Sequence, residues 1–304
     1  MRGLIAATGR ERSASRPGPG AVTPESLEAL ELAIARRVDG LLAGDYRSAF
    51  AGVGTELYQV RPYEPGDDVR RIDWNVTART STTHVRVELA ERVLVTWLVF
   101  DASASMDFGT AERRKADVAE GVALAIGHAA TRRGNRLGLV TFGPEDARFR
   151  RPRQGRRGLL FTLAALREKP AGNGTLGEAL ALLGGLAVQR SLVVIVSDFR
   201  GPTDWYAPLL RVAGRHPTVA VEIRDPREQE LADVGELRLV DPETGRQLRV
   251  DTGDARLRTR FAAAATEERA GLVRLLASAG VRHTALSTQG DWLRPLAAFL
   301  KRPE

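Results

Sequence analysis

The sequence predicts an α/β protein: a mostly parallel sheet with helices on both faces, preceded by a small β-rich module. Three observations carry this. The runs VLVTWLVF (93–100) and SLVVIVS (191–197) are almost wholly apolar, as strands buried on both faces are. From residue 93 onward such strands alternate with helical periodicity, the order that builds a parallel sheet. Residues 45–92 differ: they are rich in β-branched residues, turns and charges.

Taken in order, residues 1–22 are rich in Ser, Gly, Pro and Arg and predict a disordered tail. Thr23-Pro24-Glu25-Ser26 starts a helix, with Thr as N-cap and Pro at the first helical position. Leu27, Leu30, Ile34 and Val38 make it amphipathic, and Gly40 closes it. With this helix, the β-rich stretch forms a unit over 23–92. There Pro65-Gly66-Asp67 marks a turn, and Val85, Val87 and Leu89 alternate with Arg86 and Glu88 as in a half-exposed strand.

The α/β domain spans 93–304. After strand 93–100 comes a polar loop, then a helix with Val118, Val122 and Ile126 on one face. Strands follow at 136–142 and, as a short edge strand, 147–151. Helices are expected near 156–168 and from Thr175 through Val188. Beyond strand 191–197 lie a helix near 204–214, strand 219–223, a helix near 254–278, strand 281–286 and a last helix from Asp291. ELRLV-DPETG-RQLRV (236–250) reads as a hairpin inserted in this order.

Composition narrows the chemistry. The 304 residues contain no cysteine, which excludes disulfides, thiolate zinc sites, iron–sulfur clusters and cysteine nucleophiles. The four histidines, His84, His128, His216 and His283, lack metal-ligand spacing to one another. The charge sum is 45 − 38 = +7, with lysine only at Lys115, Lys169 and Lys301. The arginine excess is spread along the chain, so basicity alone is weak evidence for nucleic acid. The longest apolar runs are about half the ~18 residues of a membrane span, and Gly3–Ala7 is too short for a signal-peptide core. The expected compartment is the cytoplasm.

Ligands of open parallel sheets bind beyond the carboxyl ends of the strands. Two such ends carry a carboxylate: Asp101 after the first apolar run and Asp198 after the second. Asp101, Ser103 and Ser105 alternate along one tight loop. Gly172-Asn173-Gly174 then precedes Thr175 at a helix start. Two carboxylates and three hydroxyls suit a hard divalent cation, Mg²⁺ or Mn²⁺, which takes oxygen ligands at about 2.0–2.1 Å. The carboxylates roughly neutralise it, and the neutral hydroxyls leave it electrophilic.

This pattern resembles the metal-ion-dependent adhesion site of von Willebrand factor A domains: D-x-S-x-S after the first strand, a Thr before a middle helix, and an Asp ending the fourth strand. Asp101, Ser103, Ser105, Thr175 and Asp198 match it in order. Upstream, Tyr63-Glu64-Pro65-Gly66-Asp67-Asp68-Val69-Arg70-Arg71-Ile72-Asp73-Trp74, then Ala78-Arg79, resembles the signature of the bacterial "domain of unknown function 58" family. That resemblance implies a von Willebrand A-like fold and frequent association with MoxR-type AAA ATPases proposed to act in complex maturation. Many members carry N-terminal membrane helices, which this sequence does not show.

The signature mixes Asp67, Asp68 and Asp73 with Arg70, Arg71 and Arg79 around an aromatic. One reading is a salt-bridged joint with Trp74 buried as a wedge; the other is a direct partner-binding surface. Arg148, Arg150, Arg151, Arg153, Arg156 and Arg157 crowd ten residues, either protecting an edge strand or meeting an acidic partner.

The function expected is a non-enzymatic, Mg²⁺-dependent protein-interaction module whose cation is completed by a partner's Glu or Asp, the partner being a MoxR-type ATPase. Two alternatives stand beside it: a metal-dependent hydrolase using the same site, and an arginine-driven nucleic-acid binder. The hydrolase lacks a G-x-S-x-G elbow, a phosphate loop and an evident base.

Overall fold

The computed structural model describes residues 5–6, 56–89, 95–110, 112–132, 135–143, 146–166, 174–201, 203–240 and 247–301. Its strands are β1 (Ile5–Ala6), β2 (Glu56–Pro62), β3 (His84–Leu89), β4 (Val95–Asp101), β5 (Arg136–Phe142), β6 (Arg148–Gln154), β7 (Leu192–Ser197), β8 (Thr218–Arg224), β9 (Glu236–Val240), β10 (Gln247–Asp251) and β11 (Arg282–Ser287). Its α-helices, numbered in chain order, are α1 (Trp74–Thr80), α2 (Lys115–Arg132), α3 (Gly155–Leu166), α4 (Leu176–Leu186), α5 (Tyr206–Ala213), α6 (Ala255–Ser278) and α7 (Leu293–Lys301). The chain divides into two compact units, Val38–Val93 and the remainder.

In the larger unit six strands form one sheet in the order β11-β8-β7-β4-β5-β6. All neighbours are parallel except β6, which runs antiparallel to β5 at the edge. This is the mostly parallel sheet that the alternating pattern predicts. Every residue of β4 and β7 is buried, as their apolar runs require. One sheet face presents Trp97, Val99, Val193 and Ile195 to α4, α5 and α6 through Leu180, Leu183, Leu209, Val212 and Leu276. Alternation along a strand turns Leu98 and Val194 to the other face. There α2 buries Val118, Val122 and Ile126 completely or nearly so. Gly138 lets this packing close, because a Cβ there would lie 2.6 Å from Trp97 Cε3.

β9 and β10 pair antiparallel where the sequence suggests an inserted hairpin. β1 extends them: Ile5 pairs with Val240 and Ala6 with Leu239. The tail therefore holds an ordered strand at 5–6, which the Ser/Gly/Pro reading of 1–22 did not anticipate. The two residues belong to the apolar stretch Gly3–Ala7, which precedes the Ser/Gly/Pro-rich part. The helix expected from Thr23 and the rest of 1–22 lie outside the described residues.

In the smaller unit β2 and β3 pair antiparallel, with Arg61 opposite Val85 and Val60 opposite Arg86. Arg61 donates to both oxygens of Asp67 at 2.7 and 2.8 Å, and Arg86 Nε donates to Asp73 Oδ2 at 2.8 Å. Arg61 on β2 and Arg86 on β3 take the places expected of Arg70, Arg71 and Arg79. Asp68 instead accepts from the backbone N–H of Arg70. Trp74 is exposed, so of its two readings the buried wedge does not hold. Asp73 caps α1 by accepting from Asn75 N and Val76 N, and this turns Asp73 inward while Trp74, the first helical residue, faces out.

The carboxyl end of the sheet is tied by Asp225, which follows β8 and is wholly buried. It accepts from Thr110 N and Oγ1, Arg227 N and Thr288 Oγ1, all within 2.9 Å. Burial pushes this carboxyl up, but the bonds from Thr110, Arg227 and Thr288 outweigh it and hold it below the ordinary value. A depressed carboxylate stabilises the fold above its unfolded pKa, about 3.9, and loses that contribution as pH falls through the folded value. Asp225→Asn should cost about 1–3 kcal/mol at pH 7. Melting curves should show the gap from the unsubstituted chain shrinking below about pH 4; a gap equal at pH 3 and pH 7 would contradict this role.

Candidate metal centre at the end of β4 and β7

From β4 the chain crosses outward to β5 and β6, whereas β7 leads the other way to β8 and β11. The carboxyl ends of β4 and β7 are therefore the point where strand order reverses and a crevice opens. Asp101 ends β4 and Asp198 follows β7 there.

The loop after β4 is shaped by its own polar groups. Asp101 Oδ1 accepts from Ser103 N at 2.9 Å, an Asx turn that folds the loop back on the strand end. Ser103 caps the 3-10 turn Ala104–Asp107, and its hydroxyl lies 3.1 Å from that of Ser105. Ser197 Oγ, one residue before Asp198, donates to Asp101 Oδ2 at 2.5 Å. Gly143, at φ +117°, makes room for the loop: a Cβ there would lie 2.3 Å from Ser103 N.

Asp198 has a different environment. Its Oδ2 accepts from Lys115 Nζ at 2.6 Å and its Oδ1 from Arg200 N at 3.0 Å. Lys115 opens α2, is fully buried, and donates equally closely to Glu228 Oε1 at 2.6 Å. Burial pushes Asp198 up, but Lys115 outweighs it with help from Ser105, so Asp198 stays below the usual carboxylate range. Burial likewise pushes Lys115 down, and its two carboxylates reverse this. Asp101 makes no ion pair among the described residues. Burial, then the charge of Asp198, push it up to about 7 against its bonds with Ser103 and Ser197.

The structure thus brings Asp101, Ser103, Ser105 and Asp198 together. Thr175 caps α4: its hydroxyl accepts from Glu178 N and donates to Asp204 Oδ2 at 2.7 Å. Lys115, Glu228, Ser197 and Gly143 belong to the site and escaped the sequence reading. One signal was available for Lys115: it is a rare lysine in a chain whose basic residues are otherwise arginine.

These residues fit a hard divalent cation. Oxygens at about 2.1 Å on adjacent octahedral corners are about 3.0 Å apart, and the two serine hydroxyls lie 3.1 Å apart. Of two neighbouring buried carboxylates, one has a cationic partner and the other leaves negative charge to be matched. Among the described residues no three His, Cys, Asp or Glu side chains converge as a ligand set, so a cation here would need hydroxyl ligands beside the carboxylates.

The family model described as "Protein of unknown function DUF58" matches residues 59–271. The chain belongs to the DUF58 family. A similar DUF58 relative is the uncharacterized protein Rv1480 of Mycobacterium tuberculosis (strain ATCC 25618 / H37Rv), 43% identical over 279 residues, 90% of this chain and 88% of that protein. The uncharacterized protein MAV169 of Mycobacterium avium is 41% identical over 144 residues, 47% of this chain and 85% of that protein. Solved structures similar to this DUF58 chain include the conserved hypothetical protein BatB of Bacteroides thetaiotaomicron (TM-score 0.44, 12% identity, 68% of this chain and 97% of that one). The SpRpn10 VWA domain is another (TM-score 0.39, 15% identity, 67% and 94%). No helix among the described residues is long and apolar enough to cross a membrane.

Removing Lys115 leaves Asp198 and Glu228 buried without a counter-charge. Lys115→Met should therefore cost about 3–5 kcal/mol of stability. Adding Glu228→Gln should recover part of the loss. Denaturant titration checks both, and a single mutant as stable as the unsubstituted chain would show that the ammonium is not needed there.

Proposed function

We propose that this DUF58 protein is a non-enzymatic, Mg²⁺-dependent protein-binding module. The observation that carries the reading is the cluster of Asp101, Ser103, Ser105 and Asp198 at the switch point of the sheet. Asp101 and the two serines would hold the cation, with Asp198 fixed beside them by Lys115. Thr175 joins the set by its motif position, and its entry requires release of the bond to Asp204. When bound, Mg²⁺ supplies an electrophilic position that a carboxylate oxygen can fill.

The chain's own residues favour capture over turnover. Asp198 is committed to Lys115, and serine hydroxyls are weak bases. Asp101, raised to about 7, has the pKa a general base needs. A cation beside it returns it to the ionised, ligating form, so the base disappears when the site is filled. The completing carboxylate comes from a partner's Glu or Asp. The family resemblance supports a MoxR-type AAA ATPase as that partner, in the assembly or maturation of a protein complex.

Calorimetric titration with Mg²⁺ or Mn²⁺ should give one site, and Asp101→Ala should abolish it. The expected loss of partner retention on adding EDTA is read in a pull-down of purified MoxR-type ATPase. Equal metal binding by Asp101→Ala, or retention unaffected by chelator, would remove the basis of the reading. Mg²⁺-dependent hydrolysis of phosphoesters, peptides or nucleotides that vanishes in Asp101→Ala would replace it with an enzyme.

A further inference from the structure

Ser197 ends β7 one residue before Asp198 and is 1% exposed. Its side chain serves the neighbouring strand. Ser197 Oγ donates to Asp101 Oδ2 at 2.5 Å, across 96 residues of sequence. The same oxygen accepts from Phe199 N at 2.9 Å. A backbone N–H can only donate, so it meets the acceptor side of the hydroxyl and leaves the single proton directed at Asp101.

The turn that delivers Phe199 N is itself unusual. Phe199 has φ +54°, a left-handed conformation that is an outlier for a bulky residue. Such outliers persist where the surroundings over-determine them, and they collect at functional sites. Two sets of contacts hold this one. The ring packs edge-on against Trp205, with centroids 5.9 Å apart. The turned backbone aims two successive N–H groups at the strand end: Phe199 N donates to Ser197 Oγ, and Arg200 N to Asp198 Oδ1 at 3.0 Å.

Asp101 needs such a frame. The last torsion of an aspartate side chain is broad, with no sharp preferred well. Ser103 N ties Oδ1, but Ser103 lies in the same loop as Asp101 and moves with it. Ser197 belongs to β7, whose six residues are all buried, so its bond fixes Oδ2 to the sheet itself. One oxygen is tied from the loop and the other from the sheet, and the plane of the carboxylate is set before any cation arrives.

We infer that Ser197 is a positioning residue of the cation site, holding the Asp101 carboxylate in the orientation that a small hard cation demands. The inference rests on the metal-binding reading above and deepens it, because it concerns which cation the site prefers. Mg²⁺ requires near-ideal octahedral geometry at about 2.0–2.1 Å, whereas Ca²⁺ accepts about six to eight oxygens at about 2.3–2.6 Å in flexible arrangements. A carboxylate free to rotate therefore penalises Mg²⁺ more than Ca²⁺. Ser197 tips the site toward Mg²⁺ without touching the cation.

The test is calorimetric titration of the full chain with Mg²⁺ and, separately, with Ca²⁺, each variant being held below its own melting temperature. Ser197→Ala should weaken Mg²⁺ binding about tenfold or more, the usual effect of losing a hydrogen-bond partner behind a metal ligand. Ca²⁺ binding should weaken less, so the ratio of Mg²⁺ to Ca²⁺ affinity falls. Ser197→Cys keeps the side chain's size, so the fold survives, and its thiol is a weak donor. It should show the same fall in the ratio. Mg²⁺ affinity unchanged in both variants overturns the inference. So does an equal loss for the two ions, which a weakened fold alone would produce. In either case Asp101→Ala still abolishes binding, and the metal-binding reading stands without Ser197. An unsubstituted chain that binds neither ion overturns that reading and this inference together.

Discussion

Asp198 and Glu228 are buried side by side, and Lys115 is what makes their burial tolerable. Its ammonium sits between Asp198 and Glu228, each 2.6 Å away. It is the first residue of α2, so the same helix that fills one sheet face with Val118, Val122 and Ile126 also delivers the charge. The helix N-terminus adds a partial positive charge of its own near the carboxylates. Stability and site chemistry are thereby tied to one side chain. With Asp198 satisfied, Asp101 carries the unmatched charge, and the two serine hydroxyls stand beside it.

The rest of the site follows from tight backbone geometry. Ala102 N donates to Phe142 O, which pins the loop after β4 to the end of β5. Gly143 then lets the chain pass within contact of Ser103. Asp225 ties Thr110, beyond the loop, to Thr288 at the end of β11. A loop held at both ends presents its oxygens without the entropy cost of ordering them on binding, which is the benefit of preorganisation.

Much of this was legible in the sequence, and the reasons differ from residue to residue. Asp101 and Asp198 were visible because each ends an uninterrupted apolar run, and a strand fixes where its last residue points. Ser103 and Ser105 were visible by their spacing from Asp101. Glu228 was not: it lies 113 residues from Lys115, and only the placement of β8 beside β7 brings it there. Gly143 was hidden because its role is a close approach between segments that no local pattern encodes. Trp74 misled for a physical reason. An aromatic in a charged signature suggests an anchor, but Asp73 took the buried position by capping α1. The ion pairs of the signature come from Arg61 on β2 and Arg86 on β3, residues that lie outside the signature itself.

The central claim is that Asp101, Ser103 and Ser105 hold one hard cation, with Asp198 beside it. Anomalous scattering from crystals of the full chain grown with Mn²⁺ tests it most directly. The account predicts a single strong peak bounded by these four residues, within ligand distance of both serine hydroxyls. A peak elsewhere with none at this position, or Lys115 Nζ occupying the space between Asp101 and Asp198 in saturating Mn²⁺, would contradict it.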